Sequence, residues 1–234
     1  MAEAVLNKHQ SSAALLNRLR RQHADVWRLK YKTVCSSTES ELSHWLQSVP
    51  WRGEQPRAVL ADHQLRGQGQ RGRRWESLRG GVWLSAALPW TQSSGHADML
   101  GLTVALVLSE RLEKEGLAVR IKWPNDLLIH SRKVAGLLPR LVFRGGRLRI
   151  VRIGIGMNVS NPVPDGAIAL RRLLPRGRAR RDVWAVEVLR ALERVPHLVD
   201  HPENVRRAIN NRLWARQVQD PREPAAEPNR VQAG

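Results

Sequence analysis

Apolar Ala and Leu mix with Arg at helical spacing from Ser12 to Arg21, which predicts an opening helix, and the alternation from Val26 to Val34 predicts a strand after it. Ser37-Thr38-Glu39 precedes Leu42, Trp45 and Leu46, an i, i+3, i+4 set, so a second helix starts there with a hydroxyl as its N-cap. Arg57 to Asp62 reads as a strand. Residues 64–81 are crowded with Gly and Arg and carry almost no apolar side chains, so the expectation is a long exposed loop with no buried element. Gly81 to Trp90 then reads as a largely buried strand, and Met99 to Glu115 as a core helix closed by Gly116. Strand patterns follow at Val119 to Lys122, Leu127 to His130, Val134 to Arg144 and Leu148 to Met157, with Gly145-Gly146 as a hairpin signal between the last two. After Pro164 the pattern turns helical, at Ala167 to Leu174, Asp182 to Arg194 and Asn204 to Trp214. From Gln217 onward there is little to bury, and disorder is expected.

This order of elements predicts a mixed α/β topology. The 234 residues suit one domain with small appendages: a helical extension over 1–25, a main domain over 26–216 and a tail over 217–234. A single cysteine, Cys35, excludes an internal disulfide, and no amino-terminal stretch has the form of a secretory signal, so a cytoplasmic protein is expected. The longest apolar runs, such as Leu100 to Leu108, are far shorter than the roughly 20 residues a membrane-spanning helix needs. Lys and Arg total 39 against 21 Asp and Glu, a formal charge of +18, which favours an anionic partner without naming one. The nine Trp against one Tyr and one Phe have no physical account in the pattern.

Four segments could carry chemistry. The first, Gln64 to Trp75, places Gly67, Gly69 and Gly72 among Arg66, Arg71, Arg73 and Arg74; glycines let backbone N–H groups approach a phosphate and guanidinium forks neutralise it. By itself such a loop equally suits a basic RNA-binding or disordered segment. In the second, Lys122-Trp123-Pro124-Asn125-Asp126, a cation, an aromatic plane, an amide and a carboxylate stand within five positions, either to bind nucleotide and metal or to build a turn. In the third, Arg132-Lys133-Val134-Ala135-Gly136, a lysine heads a strand and a small pair leaves bare backbone, for a ligand or for a tight strand crossing. The fourth, Ile153-Gly154-Ile155-Gly156-Met157-Asn158, is a glycine-pitted strand on which a flat ring could lie, with Asn158 at its end.

In order and spacing the four together resemble the catalytic domain of biotin protein ligases, which carry GRGRxGRxW, KWPND, RKxxG and a glycine-rich strand ending in Asn. The likeness runs from about Val26 to about Pro162. It implies a class II aminoacyl-tRNA-synthetase-like α/β domain, a central mixed β-sheet flanked by helices, and it implies biotin, ATP and Mg²⁺. Position by position, Ser37, Thr38, Gln64 and Gly136 match biotin contacts. Gly67, Gly69, Gln70, Gly72 and Trp75 match the adenylate loop, with Lys122, Asn125 and Asn158 on the ATP side and Asp126 as the Mg²⁺ ligand. Lys133 matches the catalytic lysine, assisted by Arg71 and Arg73.

The resemblance further implies transfer of biotin to a lysine of the biotin carboxyl carrier protein of acetyl-CoA carboxylase, by a monomer or homodimer. Lipoate ligases share the fold and the adenylation logic, but the Gly/Arg loop with KWPND favours biotin. A weakened, basic nucleic-acid-binding relative is the reading of another class. Gln68 and Gln70 stand where the family usually has arginine, and Glu39 where Asn is common. No helix-turn-helix pattern precedes Val26, so no specific DNA partner is expected, and the small β-rich carboxy-terminal domain typical of the family has no counterpart in the pattern.

Overall fold

A computed structural model describes residues 15, 17–19, 21–23, 25–49, 51, 55–90 and 99–214. Its strands are β1 (Arg28–Cys35), β2 (Arg57–Gln68), β3 (Arg74–Ser77), β4 (Val82–Pro89), β5 (Val119–Lys122), β6 (Asp126–Ile129), β7 (Arg132–Arg144) and β8 (Arg147–Met157). The helices are α1 (Thr38–Ser48), α2 (Leu100–Glu113), α3 (Arg181–Leu198) and α4 (Pro202–Asn210). The positions described at 15, 17–19 and 21–23 are helical as well, and Leu15 and Leu19 are buried in the main core. The positions before Leu15 in the expected opening helix and the tail from 217 lie outside the described residues.

The strands form one mixed sheet in the order β1-β2-β4-β8-β7-β6-β5, with β3 paired to β2. Only β1 and β2 run parallel; every other neighbour is antiparallel. The period of two along each strand splits the sheet into two faces. Ala58, Leu60, Leu84, Ala86, Val151, Ile153 and Ile155 enter the large core that α2, α3 and α4 complete with Leu100, Val104, Trp184, Leu189, Val205 and Ile209. Val59, Ala87 and Ile150 point to the other face, where α1 covers them with Leu42 and Trp45. Arg181 fastens α3 to the sheet through Asp62 and the carbonyls of Ala61 and Gly81.

Arg57 explains how α1 stays on the sheet. Its guanidinium is buried, donates to the carbonyls of Trp45 (3.3 Å) and Val49 (3.0 Å) at the helix end, and lies over the rings of Trp45 and Trp51. Hydrogen bonds to a charged group are worth roughly 1.5–3 kcal/mol. Arg57→Ala is therefore expected to destabilise the protein by about 2–3 kcal/mol, measured as the shift in a urea denaturation midpoint at unchanged slope.

Helix and strand positions follow the pattern, with three corrections. The expected exposed loop over 64–81 is mostly sheet: β2 runs on to Gln68 and β3 returns beside it, and Gln64 and Ser77 are buried. Polar side chains are buried here because they bond one another, which hydrophobicity does not reveal. Ala167 to Leu174 is not a helix. Its apolar residues are buried as an extended segment ending in a single turn at Leu170–Arg172, because the backbone bonds to the head of β7, Lys133 N–H to Gly166 O and Ile168 N–H to Lys133 O, both 2.9 Å. The last helix stops at Asn210, since residues beyond it turn back onto β5, with Ile121 N–H bonded to Arg212 O and Trp214 N–H to Ile121 O. Gly116, Gly145 and Gly146 all have positive φ, as the helix stop and the hairpin required.

Candidate active site

The parallel pair β1 and β2 ends with Cys35 opposite Gln64, so the start of α1 meets the middle of β2 at one edge of the open sheet face. Ser37 caps α1, its hydroxyl accepting the Ser40 N–H at 3.0 Å. Gln64 Oε1 accepts both the Thr38 N–H (2.6 Å) and the Thr38 hydroxyl (3.0 Å), and its Nε2 donates to Ser77 Oγ at 2.7 Å. Ser85 of β4 continues the chain, 2.9 Å from Thr38 Oγ1. A buried polar network thus joins α1, β2, β3 and β4 at a bulge between Gln64 and Gly67. A side chain at Gly67 would collide with the Trp75 carbonyl and Ser77 Oγ. Nearby, burial and Glu41 push the Cys35 thiol up to about 11 against the opposing pull of Lys32, which leaves it no nucleophile.

This network forms one wall of a cavity on the α1 face. The floor is the paired backbone of β7 and β8, Gly136 opposite Gly156 and Leu138 opposite Gly154. At the two glycines nearest the lysine the sheet carries no side chains, and the indole of Trp75 lies there. An added Cβ would come within 2.7 Å of it at Gly136 and 2.5 Å at Gly156. Trp75 also meets Trp83 edge to face with centroids 6.4 Å apart.

Lys133 reaches the same place from the head of β7. A bulge between Leu127 and Leu128 breaks the β6–β7 register beside it, a device that re-aims a side chain. Its Nζ lies 2.8 Å from Asp126 Oδ1 and 4.7 Å from the Trp75 ring centroid. Its carbonyl is held by Asn158 Nδ2 at 3.3 Å, and Asn158 is in turn bonded by Asn161. At the far end Glu39 closes the cavity, its carboxylate 2.7 Å from Arg152 Nη2 and 3.8 Å from Arg140 Nε.

Of the residues singled out in the sequence, Ser37, Thr38, Gln64, Gly69, Gln70, Arg73, Trp75, Asn125, Lys133 and Gly136 line this one cavity. Asn125 does so while tied to Leu137, donating from Nδ2 to its carbonyl at 2.7 Å. Gly67, Asp126 and Asn158 stand directly behind the wall, bonded to or packed against lining residues. Arg71 and Gly72 form the exposed tip of the loop, with φ of 56° and 74°. Lys122 is not part of the cavity: its Nζ lies over Trp214, 5.2 Å from the ring centroid, because the alternation of β5 turns it outward. Sequence reasoning missed Ser85 and Arg152. Ser85 was visible as the one hydroxyl in the apolar run Val82–Leu88, whereas nothing marked Arg152 among the many arginines.

Solved structures carry the same architecture. Biotin protein ligase from Aquifex aeolicus, solved with biotin and ATP, superimposes with a TM-score of 0.59 at 25% identity, covering 80% of this chain and 78% of that one. The fold also matches the Leishmania major biotin protein ligase, TM-score 0.62 at 19% identity, covering 87% of each chain. The protein is therefore a mixed α/β domain of the class II synthetase-like fold. Residues 33–158, more than half of the 234, match the Biotin/lipoate A/B protein ligase family, and the chain belongs to it. Among curated relatives, the bifunctional ligase/repressor BirA of Bacillus subtilis is 36% identical over 142 residues, 58% of this chain and 43% of that protein. The biotin–[acetyl-CoA-carboxylase] ligase of Paracoccus denitrificans is 35% identical over 116 residues, 47% of each. The chain spans about half or less of the length of these relatives.

The seat of Trp75 can be tested without any ligand. Gly156→Ala puts a methyl where the indole lies, and overpacking of this kind costs about 1–3 kcal/mol. The variant is expected to melt lower and to lose the near-ultraviolet circular dichroism of the Trp75–Trp83 pair, while Gly146→Ala, at the exposed hairpin, leaves that signal intact.

Proposed function

We propose that this protein joins biotin to ATP, giving biotinyl-5′-AMP and pyrophosphate, and then passes the biotin to a lysine of the biotin carboxyl carrier protein of acetyl-CoA carboxylase. The observation that carries this reading is Lys133, held by its backbone at the head of β7 and reaching into a cavity whose opposite wall is the Ser37–Thr38–Gln64 network. The names of the relatives and of the solved neighbours support it. In the first step a biotin carboxylate oxygen attacks the α-phosphorus and the bond to pyrophosphate breaks. In the second, the carrier amine attacks the acyl carbon, AMP leaves and the amine loses a proton.

Three negative groups converge in the first step, so catalysis is mainly positioning and charge neutralisation. Lys133 supplies the central charge, with Arg73 at the cavity rim and Arg71 on the exposed tip of the same loop as second cation. Ser37, Thr38, Gln64 and the backbone at Gly136 hold biotin; Gly67, Gly69, Gln70, Gly72 and Trp75 enclose the adenylate, and Asn125 its nucleotide side. Asn158 serves by holding the Lys133 carbonyl. Mg²⁺ is commonly bound by one or two carboxylates with phosphate and water completing the shell. Asp126 fits as one such ligand, and the described residues offer no cluster of three His, Cys, Asp or Glu that would cage an ion alone. The ion would add charge beside the phosphates. Asp126 also pairs with Lys133, 2.8 Å from its Nζ.

The test is incubation with labelled biotin, ATP and an apo carrier domain. Carrier labelling that requires both ATP and the carrier lysine is the expected result; pyrophosphate release driven by lipoic acid and not by biotin would replace this reading with that of a lipoate ligase. No described helix is long and apolar enough to cross a membrane.

A further inference from the structure

The turn between β5 and β6 presents Trp123 to solvent with 69% of its surface exposed, the highest value among the large hydrophobic side chains described. Trp27, Trp45, Trp83, Trp90 and Trp184 are all buried. Leaving an indole in water forfeits the burial of an aromatic surface of about 150–250 Å². The turn is also rigid. Lys122 pairs with Asp126 across it, Asn125 N–H bonds Lys122 O at 3.2 Å, and Leu137 N–H bonds Asn125 O at 2.8 Å, so the hairpin tip is fastened to β7.

Its place relative to the cavity is what gives the exposure meaning. Trp123 is two residues from Asn125, which lines the cavity, so their Cα atoms are separated by less than about 8 Å. Asp126, one residue further, touches Lys133. Cations surround the same opening: Arg132 stands exposed at the head of β7 beside Lys133, and Arg73 and Arg74 line the cavity. A macromolecule whose side chain enters the cavity past Asn125 rests on this rim. Trp is among the residue types enriched at the few positions that carry most protein–protein binding energy.

We infer that Trp123 is a docking anchor for the protein substrate, and that the face it receives is an acidic surface surrounding the acceptor lysine of a folded carrier domain. The inference rests on the function proposed above and adds the surface by which the second substrate is chosen. Trp123 lies outside the cavity and takes no part in adenylation. Its contribution is to binding of the carrier, and the basic neighbours add attraction that weakens with salt.

The experiment separates the two half-reactions of the intact protein. For Trp123→Ala, biotin-dependent pyrophosphate release is expected to match wild type, whereas kcat/KM for transfer from preformed biotinyl-AMP to an apo carboxylase carrier domain falls about tenfold or more, through KM. Transfer to hydroxylamine, which needs no docking, stays unchanged, and Trp123→Phe recovers most of the carrier reaction. Unchanged carrier transfer in Trp123→Ala overturns the inference, as does an equal loss with hydroxylamine, which would make Trp123 part of the cavity's own chemistry. Double-stranded DNA that displaces the carrier at physiological salt and loses this ability in Trp123→Ala would assign the surface to nucleic acid instead. Failure of the wild type to form biotinyl-AMP would strike the proposed function itself, an outcome distinct from all of these.

Discussion

Lys133→Ala is expected to slow biotin-dependent pyrophosphate release by about 100-fold or more, the usual effect of removing one well-placed charge from a water-poor site. The fold should survive, because what holds this strand is backbone: Lys133 N–H to Gly166 O, Ile168 N–H to Lys133 O and the Asn158 amide to the same carbonyl. The side-chain pair with Asp126 is partly exposed, and such pairs contribute at most about 1 kcal/mol. Lys133→Arg should not restore the rate, since a planar fork on a longer side chain does not put its charge where the compact ammonium sits, 2.8 Å from Asp126 Oδ1. Wild-type pyrophosphate release in Lys133→Ala, with an unchanged thermal transition, would remove Lys133 from the reaction.

Gln70→Arg is expected to slow escape of biotinyl-AMP by roughly tenfold, the difference between a neutral and a charge-assisted hydrogen bond to phosphate. Gln70 lines the cavity at the start of the short turn Gln70–Gly72, so a cation placed there faces the adenylate. Arg71, its neighbour, sits at the exposed tip in a left-handed conformation, and Arg73 and Arg74 are the loop cations that line the cavity. Escaped acyl adenylate reacts with any lysine it meets. Bystander proteins mixed with the wild type, biotin and ATP should therefore become biotinylated, and Gln70→Arg should reduce this while carrier labelling persists. Equal dissociation rates and equal bystander labelling in the two proteins would mean that Arg73 and Arg74 already retain the intermediate.

What the sequence by itself determined was local. Ser37 before Leu42 and Trp45 set the start of α1, Gly116 set the end of α2, and Gly145-Gly146 set the β7–β8 hairpin, because caps and positive φ are properties of a few adjacent residues. The four chemical segments were legible too, since glycine, lysine and amide side chains within a short stretch announce themselves whatever surrounds them. Tertiary structure alone decided which of those residues meet. Gln64 and Ser77 read as exposed loop because their burial is stabilised by bonds to each other and to Thr38, partners 13 and 26 positions from Gln64. Lys122 stood in the same short motif as Asn125, yet one turns outward on β5 while the other is drawn into the cavity by Leu137. Ala167 to Leu174 had a helical pattern that lost to backbone bonds offered by Lys133 and Asn158. Local spacing fixes φ, ψ and the face a residue occupies; whether that face meets a partner depends on strands brought together from distant parts of the chain, and the energy of those meetings lies in hydrogen bonds and contacts that no single segment contains.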